Sequence, residues 1–212
     1  LIYPPGSFAK PEEIIELAKV VAAHGGIYAS HMRAETIKIF SALEELIRVA
    51  RDASVRAEVS HIKVTGPSAW GKAGEVLALL DKARSESLSI THDMYLYTAS
   101  STGIAQLIPD SAREGSRTNF IARIEDPAKK AAIKDEMRAT RERLGREDYG
   151  YAVISKFKAD PSLNGKTIPE AAKLVRGSDA IDDQVELIFD IERRGGGSAI
   201  YHGMNEPDVQ TF

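Results

Sequence analysis

The sequence predicts an α/β fold built from parallel βα units. Helical and strand-like segments alternate through the first hundred residues, and histidines near three strand ends recur about once per unit. The carboxyl ends of parallel strands are where α/β folds bind ligands. This alternation is typical of a doubly wound sheet or of a (β/α)8 barrel, and by itself it does not choose between them.

The elements of this first part follow from hydrophobic periodicity and from turn residues. Apolar residues recur at helical spacing over 11–24, and Gly25-Gly26 ends that predicted helix. Runs rich in β-branched and small residues predict the strands. We expect strands at 27–31, 55–64 and 88–97, and helices at 34–53 and 73–84.

The rhythm changes after residue 100. Residues 101–116 read as a loop, and a strongly charged helix is predicted at 127–144. Because loops in such folds are only ~2–6 residues long, we expect 101–148 to be a mostly helical insertion between barrel units. Residues 1–100 and 149–212 are then expected to supply the βα units. The later elements are a strand at 149–157, helices at 168–175 and 180–193, and a short strand at 199–201.

Composition narrows the classes of partner. The chain of 212 residues carries 28 basic and 31 acidic side chains, and its net charge of −3 gives no electrostatic reason to expect nucleic acid or an anionic membrane. The chain has no cysteine, which favours a reducing, cytoplasmic location. It begins without methionine and on apolar residues, so we expect a portion of a longer protein.

Two short motifs could carry chemistry, Ser-His-Met-Arg at 30–33 and Ser-His-Ile-Lys at 60–63. Side chains alternate along a strand, so each histidine shares a face with the cation two residues later. Imidazole is a good zinc ligand, and a cation beside the metal suits a substrate carboxylate. The alternative interpretation is that the histidines are hydrogen-bonded structural residues and the cations are solvated strand ends.

Seven blocks spread along the chain resemble, in order and spacing, blocks of the D-aminoacylase (N-acyl-D-amino-acid deacylase) family of amidohydrolases. The blocks are Leu1–Ala9 (LIYPPGSFA), Gly26–Arg33 (GIYASHMR), Val59–Lys63 (VSHIK), Trp70–Lys72 (WGK), Tyr95–Thr102 (YLYTASST), Leu163–Thr167 (LNGKT) and Tyr201–Glu206 (YHGMNE). The resemblance implies a partial (β/α)8 TIM-type barrel, Zn²⁺ as cofactor and a small-molecule N-acyl-D-amino acid as substrate.

The resemblance also assigns individual residues. His31 and His61 match the two barrel histidines that hold the tightly bound zinc. Lys63 matches a substrate-contacting lysine. Tyr3, Tyr95 and Ser101 match positions that line the acyl-amino-acid pocket, where a hydroxyl can hydrogen-bond a carboxylate.

The other three histidines are interpreted as structural. His92 lies in opposite strand phase to Tyr95 and should face the helices, while His24 ends a helix, where an imidazole is favourable. His202 stands near a strand end, at a position where the family motif does not require histidine.

Some of the family's pattern is missing. The chain contains no His-x-His pair, no metal-bridging cysteine and no segment matching the catalytic aspartate, so we expect that aspartate to lie outside this chain. We therefore expect the isolated chain to be inactive, because catalytic groups act as a unit. An incomplete barrel leaves open strand edges, so we also expect self-association.

Two alternatives remain open. A dihydroorotase- or hydantoinase-like amidohydrolase would share the strand-end histidines and lack the blocks around Tyr3 and Tyr95. A non-catalytic α/β domain would keep its histidines in the core and bind no zinc.

Overall fold

A computed structural model describes residues 1–212, and the chain forms two compact units. The first unit contains Leu1–Thr98 and Met204–Phe212, and the second contains Ala99–Gly203. The elements of the first unit are a 3-10 turn at Gly6–Phe8, α1 (Pro11–Ala23), β1 (Ile27–Ser30), α2 (Ile39–Asp52), β2 (Arg56–Val59), a 3-10 turn at Pro67–Ala69, α3 (Ala73–Ser85), β3 (Ile90–His92) and α9 (Glu206–Thr211).

The three strands of the first unit form a parallel sheet in the order β1-β2-β3, as the alternation of helices and strands predicted. Ser30 pairs with Val59, and Val59 with His92, so the three strands end at the same edge. Helices α2 and α3 cover the sheet with one core of aliphatic side chains, in which Leu43 and Leu80 are fully buried. The sheet edge formed by the strand ends is where the residues after each strand meet.

The strands are shorter than predicted, because the chain turns soon after each one. β2 ends at Val59, although the apolar run continues to Val64. Beyond that point the backbone bonds across to the next loop, with Ile62 N donating to the Asp93 carbonyl (2.9 Å). Helix α2 likewise begins at Ile39 instead of residue 34, because the Glu35 carbonyl accepts from Thr65 N (2.7 Å). The segments predicted as strand and helix ends are therefore the loops of the site.

Helix α9 is fastened to the start of α3 by one buried carboxylate. Asp208 accepts from Gly71 N (2.8 Å) and Ala73 N (3.2 Å), and its own N–H is capped by Asn205. The last residues of the chain are thus part of the first unit.

The second unit is built on an antiparallel sheet in the order β4-β6-β5. One core contains side chains from 104–201, among them Phe157, Ile188 and Phe189. Its elements are β4 (Ala99–Gly103), a 3-10 turn at Ile104–Leu107, α4 (Asp110–Arg113), α5 (Arg117–Glu125), α6 (Pro127–Arg143), β5 (Ala152–Lys156), a 3-10 turn at Pro161–Leu163, α7 (Ile168–Arg176), α8 (Ile181–Arg193) and β6 (Ser198–His202).

The structure divides the chain differently from the predicted boundaries. Residues 101–148 and 149–203 share one core, and β5 and β6 pair antiparallel instead of forming further parallel βα units. The chain leaves the first unit after Thr98 and returns at Met204. Hydrophobic periodicity located β5 and β6, but it contains no information on strand direction or partner. No helix in the structure combines the length and the apolar character that a membrane span requires.

Candidate metal and substrate site

The imidazoles of His31 and His61 meet at the sheet edge of the first unit. His31 directly follows β1, and His61 follows β2 by two residues. Nδ1 of His31 and Nε2 of His61 are in direct contact, and the ring centroids lie 4.4 Å apart. The parallel register brings these loops together, since Ser60 N donates to the Ser30 carbonyl (3.1 Å). The two predicted zinc ligands are therefore neighbours.

A tight turn positions His61. Its backbone φ is +43°, a left-handed conformation that is uncommon for a residue with a side chain. The turn is held by Asp93, whose Oδ1 accepts from His61 N (2.6 Å) and whose backbone N–H donates to the Val59 carbonyl (3.2 Å). Asp93 directly follows β3, so its place in the sequence was a signal that could have identified it.

Lys63 is buried beside His61 and is paired with Glu35. Lys63 Nζ lies 2.6 Å from Glu35 Oε1, 2.7 Å from the His61 carbonyl and 2.6 Å from His61 Nδ1. Glu35 Oε1 lies 3.2 Å from that same Nδ1. Sequence reasoning missed Glu35, because it lies outside both histidine motifs and only the fold brings it to His61.

The charge of Glu35 is stabilised by its partners. Burial alone would raise the pKa of this carboxyl, but the neighbouring His61 ring and the charge of Lys63 outweigh burial and hold the pKa below its usual value. Burial lowers the pKa of the Lys63 ammonium, and Glu35 acts in the opposite direction. The site thus contains a buried cation and a buried anion within hydrogen-bond distance.

Two of the three predicted hydroxyl-bearing residues flank the histidines. The Tyr3 ring lies 6.1 Å from the His31 ring, and the Tyr95 ring 6.2 Å from the His61 ring. Lys63 Nζ stands 5.5 Å above the centroid of Tyr95. The sequence also missed Tyr97, which stacks on Tyr95 with centroids 5.6 Å apart and is 66% exposed. An aromatic ring therefore lies next to each of the two histidines.

The third predicted pocket residue, Ser101, lies in the second unit. It is exposed on β4, where it pairs with Ile200 of β6. The first unit by itself therefore brings together five of the six residues that the resemblance assigned. Those five are Tyr3, His31, His61, Lys63 and Tyr95.

Arg33 does not share the role that its spacing predicted. Its Nε donates to both oxygens of Glu45 (3.0 and 2.7 Å), and its Nη atoms donate to the carbonyls of Gly6, Ser7 and Ala9. The expectation of a carboxylate-binding cation beside each histidine is therefore wrong for Arg33, because its guanidinium joins the start of the chain to α2.

The remaining three histidines do not contact the histidine pair. His92 accepts at Nδ1 from Arg84 of α3 (3.0 Å), so it faces the helices as its strand phase predicted. His24 donates from Nδ1 to the Val20 carbonyl (2.9 Å) at the end of α1. His202 is exposed on β6 in the second unit.

The donor atoms at the histidine pair fit a zinc ion as a partial ligand set. Two imidazole nitrogens point at each other, and burial together with the neighbouring His61 lowers the pKa of His31, which favours the neutral form that binds metal. The chain contains no group of three or more His, Cys, Asp or Glu side chains arranged to hold a metal. Because structural and catalytic zinc use at least three protein ligands, these two histidines supply only part of a site.

Comparisons with known proteins agree with the resemblance. No family model matches the chain. D-aminoacylase of Alcaligenes xylosoxydans xylosoxydans is 33% identical over 210 residues, which is 99% of this chain and 34% of that protein. N-acyl-D-glutamate deacylase of the same organism is 38% identical over 112 residues, covering 53% of this chain and 22% of that protein. The chain thus spans about a third, or less, of each of these relatives.

Solved structures give the same result. A crystal structure of D-aminoacylase, described as defining a novel subset of amidohydrolases, matches 99% of this chain and 34% of its own with 30% identity and a TM-score of 0.69. N-acyl-D-glutamate deacylase from Bordetella bronchiseptica, complexed with zinc and a phosphonate mimic of the tetrahedral intermediate, matches 99% of this chain and 35% of its own, with 25% identity and a TM-score of 0.70. The similarity extends through both units.

Proposed function

This chain is homologous to the D-aminoacylases along 99% of its length, and from that premise we propose that it is a portion of a zinc-dependent amidohydrolase that hydrolyses the amide bond of N-acyl-D-amino acids. The observation that supports this most directly is the pair of facing imidazoles, His31 and His61, beside the buried ammonium of Lys63. A metal-binding pair next to a cation suits a substrate with an amide and a free carboxylate.

Each residue has a separate role in this proposal. His31 and His61 would hold the zinc, which when bound lowers the pKa of a water and polarises the scissile carbonyl. The ammonium of Lys63 would bind the substrate carboxylate. The phenols of Tyr3 and Tyr95 would hydrogen-bond the same substrate and orient its amide. For Ser101, in the second unit, the substrate-binding role rests on the resemblance alone. No residue of this chain is assigned as the general base.

We also propose that β1, β2 and β3 are consecutive strands of a (β/α)8 barrel. The parallel order, the α2 and α3 crossovers and the position of the site at the strand ends all support this arrangement. Ala99–Gly203 would then be an insertion in the barrel, since the chain returns to the first unit at Met204.

We propose that the chain self-associates through the two edges of its parallel sheet. β1 and β3 each have a neighbour on one side only, and Ile27 on β1 is 48% exposed. Unpaired strand edges are templates for pairing with other chains. We expect the apparent mass in sedimentation to rise with protein concentration, and a sharp monomer at high concentration would contradict this expectation.

The zinc proposal is tested by elemental analysis of the purified chain after dialysis against zinc. We expect bound zinc in the unmutated protein and in His24→Ala, whose imidazole caps α1, and loss of zinc in His31→Ala and His61→Ala. Retention of zinc in both site variants would contradict a metal site at this pair. Absence of zinc from the unmutated chain would show that the two histidines do not hold the metal without further ligands.

The substrate class is tested by calorimetric binding to the zinc-loaded chain. An N-acetyl-D-amino acid should bind more tightly than its carboxamide, because only the acid pairs with Lys63, and Lys63→Met should abolish the difference. Cyclic ureides serve as the comparison for a hydantoinase-like site. Tighter binding of the ureides would overturn the assignment to acyl-D-amino acids.

A further inference from the structure

Two charged groups compete for one nitrogen of His61. Lys63 Nζ lies 2.6 Å from Nδ1, and Glu35 Oε1 lies 3.2 Å from the same atom. A neutral imidazole carries one proton, which is on Nδ1 or on Nε2. Lys63 can donate to Nδ1 only if the proton is on Nε2, whereas Glu35 can accept only if the proton is on Nδ1. The two arrangements exclude one another.

The choice decides what His61 presents to His31. A proton on Nε2 would point at Nδ1 of His31 and would leave no lone pair for a metal at that position. A proton on Nδ1 leaves Nε2 as a lone pair that faces the His31 nitrogen. Metal-binding histidines commonly donate their other N–H to a carboxylate, which sets the tautomer and the ring orientation.

We propose that Glu35 is a positioning residue that accepts the Nδ1 proton of His61 and keeps Nε2 directed at His31 as a metal-binding lone pair. Glu35 is suited to this role because it is anchored as well as buried. Its backbone carbonyl accepts from Thr65 N (2.7 Å) and Thr65 Oγ1 (3.1 Å), so its side chain starts from a fixed point of the loop before α2.

The carboxylate of Glu45 provides an internal comparison. It pairs with Arg33 two residues after His31, as Glu35 pairs with Lys63 two residues after His61. Both carboxylates are largely buried, but only Glu35 reaches an imidazole nitrogen. Pairing with the neighbouring cation is thus common to both, and contact with the metal-binding ring is particular to Glu35.

The tautomer has a consequence for Lys63. Its three donors are within reach of Glu35, the His61 carbonyl and His61 Nδ1. When Nδ1 carries the proton, it cannot accept from Lys63, so one ammonium N–H remains for a ligand. Glu35 would therefore prepare both the metal-binding nitrogen and the carboxylate-binding ammonium.

The first experiment determines the tautomer of His61 in the absence of metal. In the full chain, long-range ¹H–¹⁵N correlations at alkaline pH identify the protonated nitrogen of His61. We expect Nδ1–H in Lys63→Met, where Glu35 has no competitor, and a shift toward Nε2–H in Lys63→Met with Glu35→Leu. The double variant replaces the buried ion pair by apolar groups, which proteins commonly tolerate. The same tautomer in both proteins would overturn the proposal.

The second arm does not depend on the Lys63 variant and measures zinc affinity by calorimetry. Glu35→Gln should weaken zinc binding by about 10- to 100-fold, because an amide oxygen is a poorer acceptor than a carboxylate. Glu45→Gln should leave the affinity unchanged. Equal affinities in the two variants would count against Glu35. The link between Glu35 and zinc rests on the proposed function, but the zinc site and the role of Glu35 can fail separately. Zinc loss in the histidine variants tests the zinc site, whereas the tautomer of His61 without metal tests Glu35.

Discussion

Arg33 Nε lies 2.7 Å from Oε2 of Glu45. Arg33 follows the predicted zinc ligand His31 by two residues, and this ion pair binds its guanidinium. The same guanidinium also donates to the carbonyls of Gly6, Ser7 and Ala9. The cations of the two motifs therefore make different contacts. Lys63 is buried among site residues, whereas Arg33 joins the start of the chain to α2.

Arg33→Met should therefore reduce stability without removing the metal site. Hydrogen bonds to charged groups are worth about 1.5–3 kcal/mol, and we expect a loss of this size in the free energy of unfolding. Urea denaturation measures the loss, with Arg48→Met as control because Arg48 and Glu12 are largely exposed and such pairs contribute only about 0–1 kcal/mol. Loss of zinc binding with unchanged stability would show that Arg33 belongs to the site.

The core under the parallel sheet should be sensitive to truncation. Leu43 is fully buried on α2, so Leu43→Ala should lower the free energy of unfolding by about 2–5 kcal/mol. Leu17 on α1 is 60% exposed, and the matched Leu17→Ala should change it by less than about 0.5 kcal/mol. Chemical denaturation followed by circular dichroism compares the two, and equal losses would contradict the packing described for α2.

A capping box begins α7 in the second unit. Thr167 Oγ1 accepts from Glu170 N (3.3 Å), and Glu170 Oε2 accepts from Thr167 N (2.8 Å). Thr167→Ala should cost about 1 kcal/mol, the usual value of an N-cap side chain. Thr118→Ala at an exposed position of α5 is the matched control and should be close to neutral. Thermal denaturation of both variants checks this, and similar melting temperatures would count against the cap.

The decrease in the free energy of unfolding at acid pH should depend on Glu186 of α8. Burial raises the pKa of this carboxyl, but hydrogen bonds from Lys130 and Lys134 outweigh burial and hold the pKa below its usual value of about 4.3. A carboxyl with a lowered folded-state pKa stabilises the protein above its unfolded-state pKa, and this stabilisation disappears as pH falls through the lower value.

We therefore expect the unfolding free energy of Glu186→Gln to fall less steeply between about pH 5 and pH 3 than that of the unmutated chain. Urea titrations at a series of pH values measure the slope. Glu125→Gln, at an exposed position of α5, should retain the steep slope. Identical slopes in all three proteins would show that the Glu186 pair does not contribute to acid unfolding.

Much of the first unit was predictable from local pattern. Apolar spacing and Gly25 gave α1 to within a residue, and the βα alternation gave the parallel sheet. Strand-end position and family blocks together identified His31 and His61, which the structure places in contact. These inferences succeed because the periodicity of burial and the register of parallel strands are encoded in neighbouring residues.

The second unit was less predictable. The sequence predicts a loop from residue 101, because Ser100, Ser101 and Thr102 show no apolar alternation, and β4 is a strand only because β6 pairs with it. No local pattern predicts a separate helix at α5. Pairing between residues about a hundred positions apart depends on which chain segments share a core, and local spacing does not contain that information.

The sequence by itself determined the α/β class and the helices with strong apolar stripes, and together with the resemblance it predicted His31, His61 and Lys63 as candidate site residues. Only the tertiary structure decided that Asp93 holds the turn at His61, that Glu35 reaches its Nδ1, and that Arg33 is bound to Glu45. The physical reason is the range of the interactions. Periodic burial is local to an element, whereas these carboxylates act on residues that only the folded chain brings within hydrogen-bond distance.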